Sequence, residues 1–485
     1  MKSQYKVRLA IAFFTFFLTL SIPLESYAQA LYNGQKTDPA FAALSTAKVD
    51  FVGISDSNQI FGGHGWDHGF QYALIQEYNM YATGLVSANE GTNGVGASLG
   101  YNFGRNNSSN LIGALSGAPD ELDDFLDKGL GILWPANYAY IADGSSLAVS
   151  ANNGLTLSAS VVDILDVTAA LIFDFYYGTF TSGSGSFRPS IRRESSPYTT
   201  YVASASVSTN SGAYGMNTAS VQLSADAARA GLNISGKWTY TGVAGITGPW
   251  FGLYMRAYNP NRTSGFSYHT LDYRGGVSLR AMAYDLQQAS DNTLFYFFDR
   301  VRALQGSTKR VVVMINSGVN DQNDTASSVG PSPANSNTSA GFKDNLLAIK
   351  NRIEDIYELN SWDLTGLYFV IFPTHATSDP DDADLVVYRE AARDFSDVHD
   401  RVSVIDLEEI ADGTTMTSND WYTTSIDHNH LKSAGYEGLA VEMIGLLIAD
   451  NTSPTVSLTA PTDNSTVSGA STAVSATASD NIAVT

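Results

Sequence analysis

The sequence predicts an α/β fold built on a parallel sheet, interrupted by an all-β sandwich and followed by a short β segment. Three observations predict it. Short β-prone runs alternate with amphipathic helical segments on either side of the middle of the chain, the pattern of a parallel sheet with crossover helices. A Ser/Thr/Gly/Tyr/Val-rich stretch from about Ser145 to Tyr268 breaks that alternation. From Asn451 the composition shifts again, to Thr, Ser and Val with turn residues between.

The first predicted strand is Val49–Ile54 (VDFVGI), which runs into the polar turn Ser55-Asp56-Ser57-Asn58, and helical spacing follows over Phe70–Tyr78. Further strands are expected at Arg310–Ile315, Gly366–Phe372 and Val402–Leu407, with helices over Phe342–Leu359 and Asp384–Phe395. Within the middle stretch, Leu155–Ile164, Ala170–Tyr177, Tyr201–Val207 and Ser220–Leu223 read as short strands separated by Gly/Ser turns, the texture of a sandwich. A structureless loop of that length is uncommon inside a compact domain. The expected organisation is therefore an α/β domain over 31–144 and 266–450 with a β-sandwich inserted at 145–265.

Lys2, Lys6 and Arg8 precede an apolar run from Leu9 to Leu20, and small residues follow at Ser26-Tyr27-Ala28 and Ala28-Gln29-Ala30. This is the pattern of a secretory signal, assigned to residues 1–30. The alternative is an uncleaved anchor, but a run of 12 residues falls short of the roughly 20 that span a bilayer. No later segment is apolar enough to span, so the mature chain is expected outside the cell, secreted or surface-attached. It has no cysteine, which excludes disulfides, thiol catalysis and cysteine-ligated zinc. Its 48 acidic and 27 basic residues give a formal charge of −21, which excludes nucleic acid as a partner because phosphate contacts need a basic face. Residues 451–485, with strand-like Ser453–Leu458 and Ser468–Ala478, resemble the start of a bacterial immunoglobulin-like repeat. A complete one needs about 100 residues, so this repeat is expected to be truncated and the chain to be part of a longer, multi-module protein.

Four short blocks carry chemistry. In chain order they are Phe51-Val-Gly-Ile-Ser-Asp-Ser-Asn58, Gly275-Gly-Val-Ser-Leu-Arg280, Gly318-Val-Asn-Asp321 and Asp427-His-Asn-His430-Leu-Lys-Ser-Ala-Gly435-Tyr436. A serine hydroxyl attacks only when a neighbouring base takes its proton. Ser57, at a tight turn after a strand, would present its oxygen at the carboxyl end of the sheet, where α/β sites lie. His430 would serve as base and then acid, and Asp427, three residues earlier, would orient its imidazole. Each residue also has a plainer reading: Ser57 and Asp427 as helix caps, Asn320-Asp321 as a loop cap, His428 or His430 as a surface histidine.

Together the blocks resemble the SGNH (GDSL-like) hydrolases, in which a GDSN-like turn, a glycine block, G-x-N-D and D-x-x-H follow in this order. The resemblance implies a three-layer, flavodoxin-like parallel sheet and serine-esterase activity with Ser57, Asp427 and His430 as triad. It also implies an oxyanion hole made of the Ser57 and Gly276 backbone N–H groups and the Asn320 side-chain amide, with no metal and no cofactor. Ser55 stands where the family has glycine.

His64 and His68 lie four apart in GGHGWDH. Glycines nearby argue against a helical metal pair and no third ligand is evident, so lining of the site entrance is expected. The acidic run Asp379–Asp384 lacks the glycine of an EF-hand loop and reads as solvated. Secretion, the inserted sandwich and the tail favour an acetylated extracellular polysaccharide as substrate, as in the peptidoglycan O-acetylesterases this arrangement resembles. A short-chain or lipid esterase, and an inactive carbohydrate-binding module, are the alternatives. Tyr176, Tyr177, Phe180, Phe187, Trp238, Tyr240, Trp250, Phe251 and Tyr254 of the insert are expected mostly in the sandwich core, with sugar stacking the other reading.

Overall fold

The structure, a computed structural model, describes residues 30–41, 47–56, 58, 65–76, 81–87, 101–104, 139–141, 146–147, 154–157, 166–181, 185–193, 200–213, 215–238, 246–247, 250–273, 278–322, 324, 335–375, 385–423, 430–448, 455–460 and 475–479. Residues 1–29, which hold the expected signal, lie outside that set.

Six strands form the central sheet: β1 (Leu31–Tyr32), β2 (Lys48–Ser55), β3 (Gly265–Tyr273), β4 (Val311–Ile315), β5 (Leu367–Ile371) and β6 (Val402–Ile405). Their order is β1-β6-β5-β4-β2-β3. The strands from β2 to β6 are mutually parallel, with Asp50 opposite both Val311 and Ser267. β1 closes one edge antiparallel to β6. β4, β5 and β6 are near-continuous apolar runs because both faces of a parallel sheet are covered.

Strand alternation divides the core into two layers. Val49, Phe51, Phe266, Tyr268, Val312 and Met314 face helices α1 (Trp66–Gln76) and α6 (Ser433–Ile448). Val52, Ile54, Leu271, Val311, Val313 and Phe369 face α2 (Leu279–Gln288), α3 (Asp291–Arg302), α4 (Ser339–Leu359) and α5 (Val386–Val398). The result is a three-layer α/β/α unit. Side-chain caps start two of these helices: Ser290 accepts the Thr293 N–H, and Thr338 accepts the Gly341 N–H.

β3 departs from the sequence reading, which placed no strand of the parallel sheet there. Gly265–Tyr273 pairs with β2 along its length, so the sandwich-like texture that reaches Tyr268 includes part of the central sheet. Its alternating polar residues Ser267 and His269 are buried rather than solvated.

The antiparallel strands form separate sheets. Leu171–Thr179 pairs with Gly215–Leu223 on one side and Trp250–Tyr258 on the other. A second sheet runs in the order 200–203, 190–193, 234–237, 154–157, 101–104. Strands at 86–87, 101–104 and 139–141 take part as well, so antiparallel pairing begins upstream of residue 145, where the composition changes. Leu155, Phe173, Phe175, Ile191, Trp238 and Met255 are buried among these strands. Tyr176, Tyr177, Phe180, Phe187, Trp238 and Tyr254 are all buried, while Tyr240 and the side chains of Trp250 and Phe251 lie outside the described residues.

These sheets are fastened to the α/β unit. Arg256 forms a buried ion pair with Asp174 at 2.9 Å and donates to the Arg300 carbonyl at the end of α3. The Tyr176 ring meets Tyr296 of α3 edge-on. At the carboxyl end, Thr455–Ala460 and Ser475–Ser479 pair antiparallel. Among the described residues no helix is long and apolar enough to cross a membrane.

Candidate active site at the carboxyl ends of β2 and β4

β2 ends at Ser55 and β4 at Ile315, and because the strands are parallel neighbours their outgoing turns lie side by side. Asn316 pins these ends together. Its N–H donates to the Ile54 carbonyl and its Nδ2 to the Phe372 carbonyl, while its Oδ1 accepts from the Ser55 hydroxyl and the Trp66 indole. Ser55 is thus accommodated by a hydrogen bond.

Asp56 is the hub of the site. One carboxylate oxygen accepts the Asn58 N–H (2.9 Å) and Asn58 Nδ2 (3.0 Å); the other accepts Asn320 Nδ2 at 2.8 Å. Burial pushes its pKa up, and the hydrogen bonds from Asn58 and Asn320 and the charge of His430 oppose that rise. Asn320 reaches Asp56 because the chain turns at Gly318, whose φ of +143° suits glycine. Thr374 then fixes the loop by accepting the Val319 N–H and donating its own N–H to the Ser317 carbonyl.

Asp321 joins this loop to α2. It accepts the Leu279 N–H at 2.9 Å, satisfying a free donor of the first helical turn, and it accepts the Ser317 hydroxyl. Burial raises its pKa to about 6, against the pull of those hydrogen bonds and with a further push from Asp56. The loop-cap reading therefore holds for Asp321, whereas Asn320 faces the serine turn.

On the opposite side, Tyr436 of α6 donates its hydroxyl to Asn58 Oδ1 at 2.6 Å and accepts the Leu431 N–H at 3.4 Å. His430 is half-buried, and its carbonyl accepts the Thr423 N–H. Gly69 of α1 packs directly on the Tyr436 backbone, and the Trp66 ring meets Tyr436 edge-on at 5.1 Å. Sequence reasoning missed Asn316, Trp66 and the Asn58–Tyr436 pair, although Asn58 and Tyr436 both stand inside the motif blocks.

The structure thus brings Asn320, Asp56, Asn58 and the His430 segment together. Ser57, Gly276 and Asp427 lie outside the described residues, with Asp56 and Asn58 on either side of the first, Tyr273 and Ser278 flanking the second, and Thr423 and His430 flanking the third. His428, His64 and the acidic run 379–384 are outside them as well. His68 does not line an entrance: it is buried, and its Nε2 lies 2.7 Å from Glu437 of α6. No metal-binding group of three or more acidic or histidine side chains occurs among the described residues.

A second Asp–His–Ser group lies near the amino-terminal ends of β2 and β3. Asp50 accepts from His269 Nε2 (2.8 Å), Ser267, Tyr81 and Gln305. His269 Nδ1 accepts the Leu85 N–H at 2.8 Å, so the ring is neutral with its proton on Nε2. Ser267 Oγ lies 2.8 Å from the same Nε2, so acid and hydroxyl share one nitrogen, and backbone occupies the other. A triad needs the two on opposite nitrogens, and Asp50 and His269 are buried from solvent. This cluster is structural.

No protein-family profile and no curated protein matches the chain. Solved structures similar to it include a salicylyl-acyltransferase from a tetracycline biosynthetic pathway (12% identity, 64% of this chain and 96% of that one, TM-score 0.24). Another is an acetyl xylan esterase from the rumen bacterium Butyrivibrio proteoclasticus (8% identity, 64% and 95%, TM-score 0.25). A third is the N-terminal cellulose-binding domain of a Cellulomonas fimi β-1,4-glucanase (17% identity, 25% and 76%, TM-score 0.16). Likeness at this level assigns neither family nor activity.

Proposed function

We propose that this chain is an SGNH-type serine esterase that removes O-acetyl groups from an extracellular polysaccharide. The observation that carries the reading is the Asn320–Asp56 hydrogen bond at 2.8 Å. It joins the G-x-N-D loop to the residue preceding Ser57 at the carboxyl ends of adjacent parallel strands. The Tyr436 hydroxyl, bonded both to Asn58 and to the Leu431 N–H, supports placing the fourth block, which holds His430, at the same turn.

In this mechanism Ser57 Oγ attacks the acetyl carbonyl carbon as His430 takes its proton, and Asp427 steadies the imidazole. The oxyanion is met by the Ser57 and Gly276 N–H groups and by Asn320. An amide carries two N–H donors; with one engaged by Asp56, the other is the oxyanion donor. Collapse expels the sugar hydroxylate, which takes the proton from His430. Water then attacks the acetyl-serine with the same base, releasing acetate. The motif-bearing α/β unit is the catalytic domain in this proposal, and the antiparallel sheets assist in holding polymer. The amino-terminal signal pattern supports an extracellular site of action.

The test is acetate release from acetylated polysaccharides, with nitrophenyl acetate alongside, for the parent and Ser57→Ala. Turnover should fall by about 10³-fold or more in the variant, with affinity for the polymer retained. Parent-like hydrolysis by Ser57→Ala overturns the reading. A parent that binds polymer and releases no acetate makes it a binding module.

A further inference from the structure

We infer that Tyr436 is a positioning residue of this esterase site, its hydroxyl setting the spacing between the His430 segment and the Ser57 turn. The inference rests on the proposed reaction. One oxygen touches the residue after each of the two reacting side chains: it donates to Asn58, which follows Ser57, and accepts from Leu431, which follows His430. A hydroxyl can do both at once, and neither phenylalanine nor an ammonium can.

The strut is rigid at both ends. The Tyr436 ring is fully buried, meets Trp66 edge-on and sits in the first turn of α6, whose backbone rests on Gly69. At the other end Asn58 is held in one orientation, because its N–H and Nδ2 both donate to Asp56, and Asp56 in turn holds Asn320. A displacement of the His430 segment is thereby passed through one oxygen to the serine turn and the oxyanion amide. Proton transfer from Ser57 to His430 depends steeply on their separation, so the hydroxyl acts on turnover rather than on substrate affinity.

Tyr436→Phe removes the oxygen and keeps the ring. It should lower kcat by about 10- to 100-fold, the scale of a misplacement near 1 Å, with KM within about twofold of the parent. Labelling by a fluorophosphonate, which reports the reactivity of Ser57 directly, should slow in proportion. Asn58→Leu removes the acceptor from the other side. That variant keeps Tyr436 and so decides the matter by its own loss of kcat if Tyr436→Phe folds poorly; where both fold, the double variant should be no slower than the slower single one, since both break the same link. Unchanged kcat and labelling in Tyr436→Phe, a rise in KM alone, or additive losses in the double variant each overturn the inference. Ser57→Ala assayed in parallel separates the two claims: if it turns over like the parent, the esterase reading itself fails.

Discussion

Gly69→Ala is a substitution whose two effects have opposite sign, and the structure decides between them. Alanine inside a helix is favoured over glycine by about 1 kcal/mol, so an exposed site would gain stability. At Gly69, however, the new Cβ would stand 2.5 Å from the Tyr436 carbonyl oxygen and 2.8 Å from its carbonyl carbon. Favourable contact begins near 3.5 Å, so α1 and α6 must part by about 1 Å. Neither partner is a flexible side-chain end; both are helix backbone. Overpacking costs about 1–3 kcal/mol in general, and a contact that cannot relax by rotamer change belongs at the upper end. The net expectation is a loss of about 1–2 kcal/mol. At about 2–4 °C per kcal/mol for a domain of this size, differential scanning calorimetry should show the melting temperature falling by several degrees. Turnover should fall as well, since moving α6 lengthens the Tyr436–Asn58 bond. A variant that melts at or above the parent temperature would show that the helices do not rest on each other here.

The remaining predictions concern the loop after β4. Asn320→Ala should lower turnover by about 10²–10³, the usual cost of one oxyanion donor. Asn320→Asp should be worse at neutral pH, because it sets a second carboxylate against Asp56, and equal losses in the two variants would refute this. Asp321 holds its proton more tightly in the folded chain, near pH 6, than in the unfolded one, near about 3.9. Its contribution to stability is therefore complete below about pH 3.9 and is lost as pH rises through about 6. Asp321→Asn keeps an acceptor for the Leu279 N–H and should gain stability relative to the parent across that window. Parallel stability–pH curves from urea unfolding would contradict the assignment.

The parts of the fold read correctly from sequence share a physical cause. β4 and β5 are short, uniformly apolar runs between turn signals, and they were expected within a residue or two of where they lie. β3 was missed because Gly265–Tyr273 alternates polar with apolar residues, which reads as a half-solvated strand. Its polar members are instead paid for by Asp50, far away in sequence. α3 was missed because its Leu-Phe-Tyr-Phe-Phe centre has aromatic residues of weak helix propensity, overridden by burial against the sheet. In the site, the turn that carries Asn320 was legible because it follows a uniformly apolar strand and holds a glycine at positive φ. The partners of Asp56 and Tyr436 were not, since a hydrogen bond across 378 residues of sequence leaves no local periodicity to read.

The Asp50–His269 cluster makes the β2–β3 seam acid-labile. Burial disfavours the charged imidazole, so the folded chain holds His269 below its ordinary pKa, against the opposing pull of Asp50. Burial alone would raise the Asp50 carboxyl, but hydrogen bonds from His269, Ser267 and Tyr81 hold it below the usual range. Both groups then withdraw support as acid is added, the histidine below about pH 6.5 and the aspartate below about 3.9. The seam lies about 20 Å from the serine turn, six residues along a strand, yet β3 leads directly toward Gly276. The acid limb of an activity profile would therefore record the unstitching of an edge strand together with the protonation of the base. Tyrosine fluorescence or hydrogen exchange in β3, followed alongside turnover, separates the two.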